Sequence, residues 1–127
     1  MDKRLTRLWN NRHARDHVET LQVQFAFDRW DLSDGAQTAL LSLVKELREN
    51  PKLIVDLEGY TDSVGPREYN VQLSQRRVEA VRRYLVDKGV DMPRIQWIGL
   101  GQLPDRGTQE DQAKNRRVTL KMMIPKD

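Results

Sequence analysis

The chain has 127 residues, the length of one domain with a single small core. Apolar residues make up 38% of it and charged residues 32%, a balance typical of a globular protein rather than a disordered one. The absence of cysteine excludes disulfides, thiolate metal sites and a cysteine nucleophile. The net charge is only +3, from 22 basic and 19 acidic residues, and does not by itself indicate nucleic-acid binding.

The first 20 residues differ in character from the rest of the chain. They are polar almost throughout and contain no apolar stretch of the kind found in a secretory signal peptide. We predict a lead-in or linker over 1–20, followed by one folded domain over 21–127. The longest apolar cluster, at 40–44, is far shorter than the roughly 20 residues of a membrane-spanning helix.

The first half of the domain is predicted to form a strand, a helix and a second strand. Apolar residues alternate with others over 21–27, which predicts a half-buried strand. Ser33 or Asp34 then offers an N-cap for a helix, which ends at Asn50 because Pro51 disfavours a helical residue before it. A second alternating strand is predicted from Leu53 to Tyr60.

The second half adds one long helix and two strands. The helix is predicted over about 69–88 and ends at Gly89, a suitable residue for the position after a helix cap. Strands are predicted at 95–99 and 118–124, separated by a polar surface loop with at most one helical turn. The order β-α-β-α-β-β predicts an α/β (α+β) two-layer sandwich, with two main helices on one face of a mixed four-stranded sheet.

Arg77 is the most informative residue of the second helix. At about 100° per residue, Ala80 and Tyr84 lie within roughly 20° of Leu73, and Val81 lies roughly 80° from it. Arg77, roughly 40° from Leu73, falls inside this apolar arc. A guanidinium near a buried face requires a partner, and Asp62, just past the second strand, is the natural candidate. The alternative is that Arg77 reaches the rim of the helix and Asp62 only shapes the turn.

The residues around this pair carry a recognisable signature. The segment Gly59-Tyr60-Thr61-Asp62-Ser63-Val64-Gly65, followed by Asn70-Val71-Gln72-Leu73-Ser74-Gln75-Arg76-Arg77, resembles the motif of the OmpA-like peptidoglycan-binding domain family. Phe25-Ala26-Phe27-Asp28, Gly99-Leu100-Gly101 and Asn115-Arg116-Arg117-Val118 match further family motifs in the right order. The resemblance extends from about residue 23 to residue 124.

The resemblance implies non-covalent binding of peptidoglycan through the diaminopimelate of its stem peptide. The aspartate and arginine of the family fall on Asp62 and Arg77, which suit the ammonium and carboxylate groups of this zwitterion. By the same comparison Asp28 is expected to add a polar contact, and three residues are expected to shape the pocket or hold its loop: Thr61, Asn70 and Leu73. No metal or cofactor is implied.

The implied setting is the periplasm. We expect the chain to be a domain of a larger envelope protein, attached to a membrane only through segments upstream of it. A homodimer is compatible with this role, and so is a protein-interaction module without wall binding.

Other functions have weaker support in the sequence. His13 and His17 have the i, i+4 spacing of helical metal ligands, but no third ligand stands at a motif distance. Asp56 and Glu58 share a strand face, which alternation with apolar residues predicts to be solvated rather than catalytic. The sequence contains no nucleophile motif, so we expect no enzyme activity.

Nucleic-acid binding is the remaining alternative. Three pairs of adjacent arginines, at 76–77, 82–83 and 116–117, keep it open. We interpret Arg76, Arg82 and Arg83 as solvated and Arg116 as stabilising the entry to the last strand. An RNA-binding sheet also requires stacking aromatics on its exposed face, and the sequence shows no such cluster.

Overall fold

The computed structural model describes residues 16–125. Four strands form one sheet: β1 (Asp16–Gln24), β2 (Ile54–Thr61), β3 (Ile95–Gln102) and β4 (Arg117–Ile124). The main helices are α1 (Asp34–Glu49) and α2 (Arg67–Asp87), and the shorter α3 (Gln109–Asn115) precedes β4. A 3-10 turn (Met92–Arg94) leads into β3.

The sheet order is β1-β4-β2-β3. β4 runs antiparallel to both of its neighbours, and β2 and β3 are parallel, as expected for strands joined through a helix. α1 and α2 bury apolar side chains against one face of the sheet. The predicted two-layer α/β sandwich is thereby confirmed, with α3 as an addition.

Local sequence signals place the helix ends where predicted. Ser33 caps α1 through its hydroxyl group, which accepts a hydrogen bond from the Ala36 N–H at 3.1 Å. The helix ends at Asn50, directly before Pro51. After α2, Gly89 has a φ of +100°, and the N–H groups of Gly89 and Val90 donate to the carbonyl groups of Val86 and Leu85. These two bonds form a Schellman cap.

The first strand differs from its prediction at both ends. β1 begins at Asp16, so residues 16–20 of the predicted lead-in belong to the sheet, while residues 1–15, His13 among them, lie outside the described part. The polar sequence of this stretch and a register shift between His17 and Glu19 conceal the strand pattern. At the other end, β1 stops at Gln24 and the chain turns out of the sheet. Phe27 is therefore 59% exposed instead of facing the core.

The buried stripe of α2 is also displaced from the predicted arc. Val78, Val81 and Leu85 are fully buried, whereas Ala80 and Tyr84 are only half-buried. The stripe includes the polar residues Asn70, Ser74 and Arg77, so an arc drawn through apolar residues alone was centred wrongly.

The topology brings four strand ends, and the connections that follow β1, β2 and β3, to one end of the sheet. β1, β2 and β3 point the same way and β4 runs against them, so the ends of the first three lie beside the start of the fourth. Loops that leave strand ends in this arrangement are common ligand positions. None of the helices in residues 16–125 has the length and apolar character required to cross a membrane.

Candidate functional site

The loop between β2 and α2 is fixed by its own side chains. The Thr61 hydroxyl donates to the Asp62 carbonyl at 2.9 Å, and the Val64 N–H donates to Asp62 Oδ1 at 3.1 Å. The Asn70 amide of α2 donates to the Val64 carbonyl at 3.0 Å and to Gln102 Oε1 at 3.2 Å. Thr61 and Asn70 are both buried, which suits the predicted role of holding the loop.

The segment after β3 also holds the β2–α2 loop in place. The Ser63 N–H donates to Asp105 Oδ2 at 3.0 Å, and the Leu103 N–H donates to the Thr61 carbonyl at 3.1 Å. The hydrogen bonds with Ser63 and Gly107 lower the pKa of Asp105. These contacts were not predicted, because no local sequence pattern links Asp105 to a loop more than 40 residues earlier.

Arg77 is fully buried and donates to three backbone carbonyl groups. Nε donates to Arg29 at 2.8 Å, Nη1 to Tyr60 at 3.1 Å and Nη2 to Ala26 at 3.1 Å. The guanidinium group also lies 5.3 Å from the centre of the Phe25 ring. Arg77 thereby ties the end of β2 to the segment that leaves β1, and the carbonyl dipoles offset the cost of burying its charge.

Burial lowers the pKa of Arg77 to about 10, against the opposing influence of the nearby Asp62 carboxylate. A group with this pKa remains positively charged at neutral pH. The pocket therefore keeps a permanent cation at its inner end.

The ion-pair partner of Asp62 is Arg116 rather than Arg77. Asp62 Oδ2 lies 3.4 Å from Arg116 Nη1, and the Arg116 Nε donates to the Phe25 carbonyl at 3.1 Å. Asp62 is 4% exposed, so the pair is shielded from solvent. Arg116 was interpreted only as support for the entry to the last strand, because nothing in its neighbourhood marks a partner 54 residues away.

These side chains meet at a pocket of about 180 Å³. All but one of the predicted site residues line it: Asp28, Asp62, Asn70, Leu73 and Arg77. Thr61 does not line it, but is buried next to Asp62, to whose carbonyl group it donates. Five lining residues besides Arg116 were not predicted: Phe27, Val64, Gly65, Pro66 and Tyr69.

The mouth of the pocket includes exposed residues from two elements outside the β2–α2 loop. Phe27 and Asp28 come from the segment after β1, and Tyr69 comes from the first turn of α2. The Tyr69 hydroxyl donates to Asp28 Oδ1, and this hydrogen bond raises the pKa of Tyr69. The mouth therefore joins segments that lie 41 residues apart in sequence.

The charges of the pocket balance. Two cations, Arg77 and Arg116, face two carboxylates, Asp28 and Asp62. A pocket with both signs of charge suits a small ligand that also carries both. A ligand with a single charge would meet groups of like charge as well as groups of opposite charge in the pocket, so its binding would be less favourable.

Comparison with known proteins identifies the family. A family model described as the OmpA family matches residues 24–119. The chain belongs to the OmpA family. The resemblance found in the sequence motifs is thereby confirmed.

Curated relatives of this OmpA-family chain include envelope proteins of Pseudomonas aeruginosa. It is 41% identical over 100 residues to a peptidoglycan-associated lipoprotein, a match that covers 76% of this chain and 59% of the relative. It is 37% identical over 102 residues to outer membrane porin F, covering 77% of this chain and 29% of the porin. The chain thus spans less than two thirds of the length of these relatives.

The solved structures agree in fold. The peptidoglycan-associated lipoprotein from Burkholderia pseudomallei matches with a TM-score of 0.77 and 32% identity, over 80% of this chain and 89% of that one. The C-terminal domain of Helicobacter pylori MotB matches with a TM-score of 0.74 at 17% identity, over 83% and 85% of the two chains. The second match shows a shared fold alone.

Proposed function

We propose that this OmpA-family domain binds peptidoglycan non-covalently and receives the diaminopimelate of the stem peptide in the pocket lined by Asp62 and Arg77. It would act as a binding domain rather than an enzyme, and anchor a larger envelope protein to the cell wall from the periplasm. The observation that carries the proposal is the convergence of two cations and two carboxylates at one open pocket. Relatives named as peptidoglycan-associated support it.

The chemistry of the ligand suits these groups. The free end of diaminopimelate in a stem peptide carries one ammonium and one carboxylate group. Arg77 uses three of its five N–H donors on backbone carbonyl groups, which leaves donors for a ligand carboxylate. Because those carbonyl groups hold the guanidinium in place, binding would cost little side-chain entropy.

The size of the pocket limits what can enter it. Its volume of about 180 Å³ is below the roughly 300–1,000 Å³ typical of pockets that enclose drug-sized ligands. It therefore suits the charged end of one amino acid rather than a disaccharide. The rest of the peptidoglycan would lie outside the pocket.

Sedimentation with purified sacculi tests the proposal. We expect the wild type to sediment with diaminopimelate-type sacculi, and Asp62→Asn and Arg77→Lys to stay largely in solution because each alters one pole of the site. Matched controls are Asp87→Asn and Arg83→Lys, exposed positions toward the other end of α2. Undiminished sedimentation of folded Asp62→Asn and Arg77→Lys would contradict the assignment of the site.

Ligand competition tests the chemical class. Free diaminopimelate should release the bound protein, and lysine, which lacks the second carboxylate, should release much less of it. Equal retention on lysine-type and diaminopimelate-type walls would contradict the proposed specificity. No retention on either wall would favour the interaction module instead.

The arginine pairs that kept nucleic-acid binding open are occupied within the domain. Four of the six arginines, Arg77 among them, lie over aromatic rings, and the other two pair with carboxylates. The contacts are Arg76 with Trp30, Arg82 with Trp97, Arg117 with Tyr60, Arg83 with Glu79, Arg116 with Asp62, and Arg77 with its three carbonyl groups. Arg76 is exposed, as expected, and also lies over the Trp30 ring, whereas Arg82 is partly buried against Trp97. We therefore propose no nucleic-acid function. The homodimer stays a prediction, and light scattering at increasing protein concentrations tests it.

A further inference from the structure

Asp28 has an unusual backbone at the mouth of the pocket. Its φ is +55°, and among residues 16–125 it alone combines a positive φ with a side chain. Aspartate is one of the few residues that tolerate this left-handed conformation. The turn is closed by the Arg29 N–H, which donates to the Ala26 carbonyl at 3.1 Å. This conformation directs the chain out of the sheet and places Asp28 in the pocket wall.

Tyr69 holds the Asp28 side chain from across the mouth. Its hydroxyl donates to Asp28 Oδ1, and its ring is 40% exposed in the first turn of α2. With Oδ1 engaged, the second oxygen of the carboxylate remains as an acceptor. The hydrogen bond to Asp28 raises the pKa of Tyr69, so the hydroxyl stays protonated and remains a donor at neutral pH.

Asp62 is less available to a ligand than Asp28. Its Oδ1 accepts from the Val64 N–H, its Oδ2 pairs with Arg116, and it is 4% exposed. An incoming ammonium group would have to compete with Arg116 for that carboxylate. Asp28 is exposed and faces no such competitor among its hydrogen-bond partners.

We propose that Tyr69 is a positioning residue that orients Asp28 so that the second carboxylate oxygen of Asp28 receives the ammonium group of the ligand. This inference rests on the proposed function and divides its work between the two carboxylates. Asp28 and Asp62 then share the ammonium group, and Asp62 also keeps Arg116 and the β2–α2 loop in place. Tyr69 thereby sets the preference for ligands that carry a free amine.

The test uses two stem tripeptides that differ only in the amine. One ends in meso-diaminopimelate, and the other ends in 2-aminopimelate, which keeps the terminal carboxylate but lacks the free amine. By calorimetry, Tyr69→Phe should weaken binding of the first peptide about tenfold, the change expected for one hydrogen bond to a charged group. Binding of the second peptide should change less than about twofold.

Two further variants make the result specific. Tyr84→Phe removes a hydroxyl from the same helix, where it donates to the Gln37 carbonyl outside the pocket, and should leave both affinities unchanged. Asp28→Asn should weaken binding of the diaminopimelate peptide, and adding Tyr69→Phe to it should cause little further loss, since both act on one group.

The outcomes separate this inference from the proposed function. Equal weakening of both peptides by Tyr69→Phe would show a merely structural role, and no weakening would show that Tyr69 does not position Asp28. Either result overturns the inference while wild-type binding stands. Failure of the wild type to bind the diaminopimelate peptide would contradict the proposed function and the inference with it.

Discussion

At the scale of single residues, Arg77 combines a structural and a binding role. Its three carbonyl acceptors belong to Ala26, Arg29 and Tyr60, so one side chain connects the segment after β1 to the end of β2. Removing it would leave these acceptors in a buried place without their donor. Lysine keeps the charge but cannot reproduce the planar arrangement of donors.

We therefore expect Arg77→Lys to lower the free energy of unfolding by roughly 1–3 kcal/mol and Arg77→Ala by more, as for other buried groups that lose a hydrogen-bond partner. Urea denaturation followed by circular dichroism measures both. Arg83→Lys, on the exposed side of α2, should change the stability by less than about 0.5 kcal/mol. If Arg77→Lys were as stable as the wild type, the three hydrogen bonds would not be important for the fold.

At the scale of elements, the close approach of α2 to β2 brings Arg77 to the end of β2. A Cβ atom on Gly59 would lie 2.4 Å from the Ser74 carbonyl oxygen and 2.4 Å from a methyl carbon of Val78. Glycine at this position therefore lets the helix lie directly on the strand. The Arg77 side chain can then reach the Tyr60 carbonyl group at the end of β2.

Gly59→Ala should push α2 away from the sheet. We expect a loss of about 1–3 kcal/mol in the free energy of unfolding, the range for overpacked cores, together with weaker ligand binding. Gly35→Ala is the matched control, because a Cβ there meets nothing within 4 Å, and it should stabilise the protein by about 0.4–1 kcal/mol. Similar melting temperatures for the two variants would contradict the close packing.

At the scale of the whole molecule, the contact between α1 and the edge of the sheet depends on pH. Burial, and then the carboxyl groups of Glu19 and Glu49, raise the pKa of Glu46 above the usual 4.5. The folded state then binds its proton more tightly than the unfolded state does. Stability falls as the pH rises from 4.5 through the raised pKa, and the cost is present above it.

Glu46→Gln should therefore raise the melting temperature at pH 7, and the gain should disappear well below pH 4.5, where Glu46 is protonated in both states. Thermal melts over this pH range measure the difference. The control is Glu79→Gln, on the exposed face of α2, where Glu79 pairs with Arg83. A gain of equal size at both pH values would show that removal of the charge is not its cause.

Much of the fold and part of the site follow from local sequence. The cap at Ser33, the end of α1 before Pro51 and the turn at Gly89 depend on residues within a few positions, so short patterns predict them. The placement of Arg77 on a buried face follows from helical periodicity in the same way. The motifs around it identified the family.

The partners of the charged groups were decided by the tertiary structure. Asp62 pairs with Arg116 across 54 positions, and Arg77 bonds to carbonyl groups up to 51 positions away. Tyr69 meets Asp28 only because the chain leaves the sheet after Gln24 and turns toward α2. Contacts of this kind depend on how strands and helices pack rather than on any local pattern. The local sequence therefore determined the helix ends, the burial of Arg77 and the family motifs, and the packing determined which charges meet.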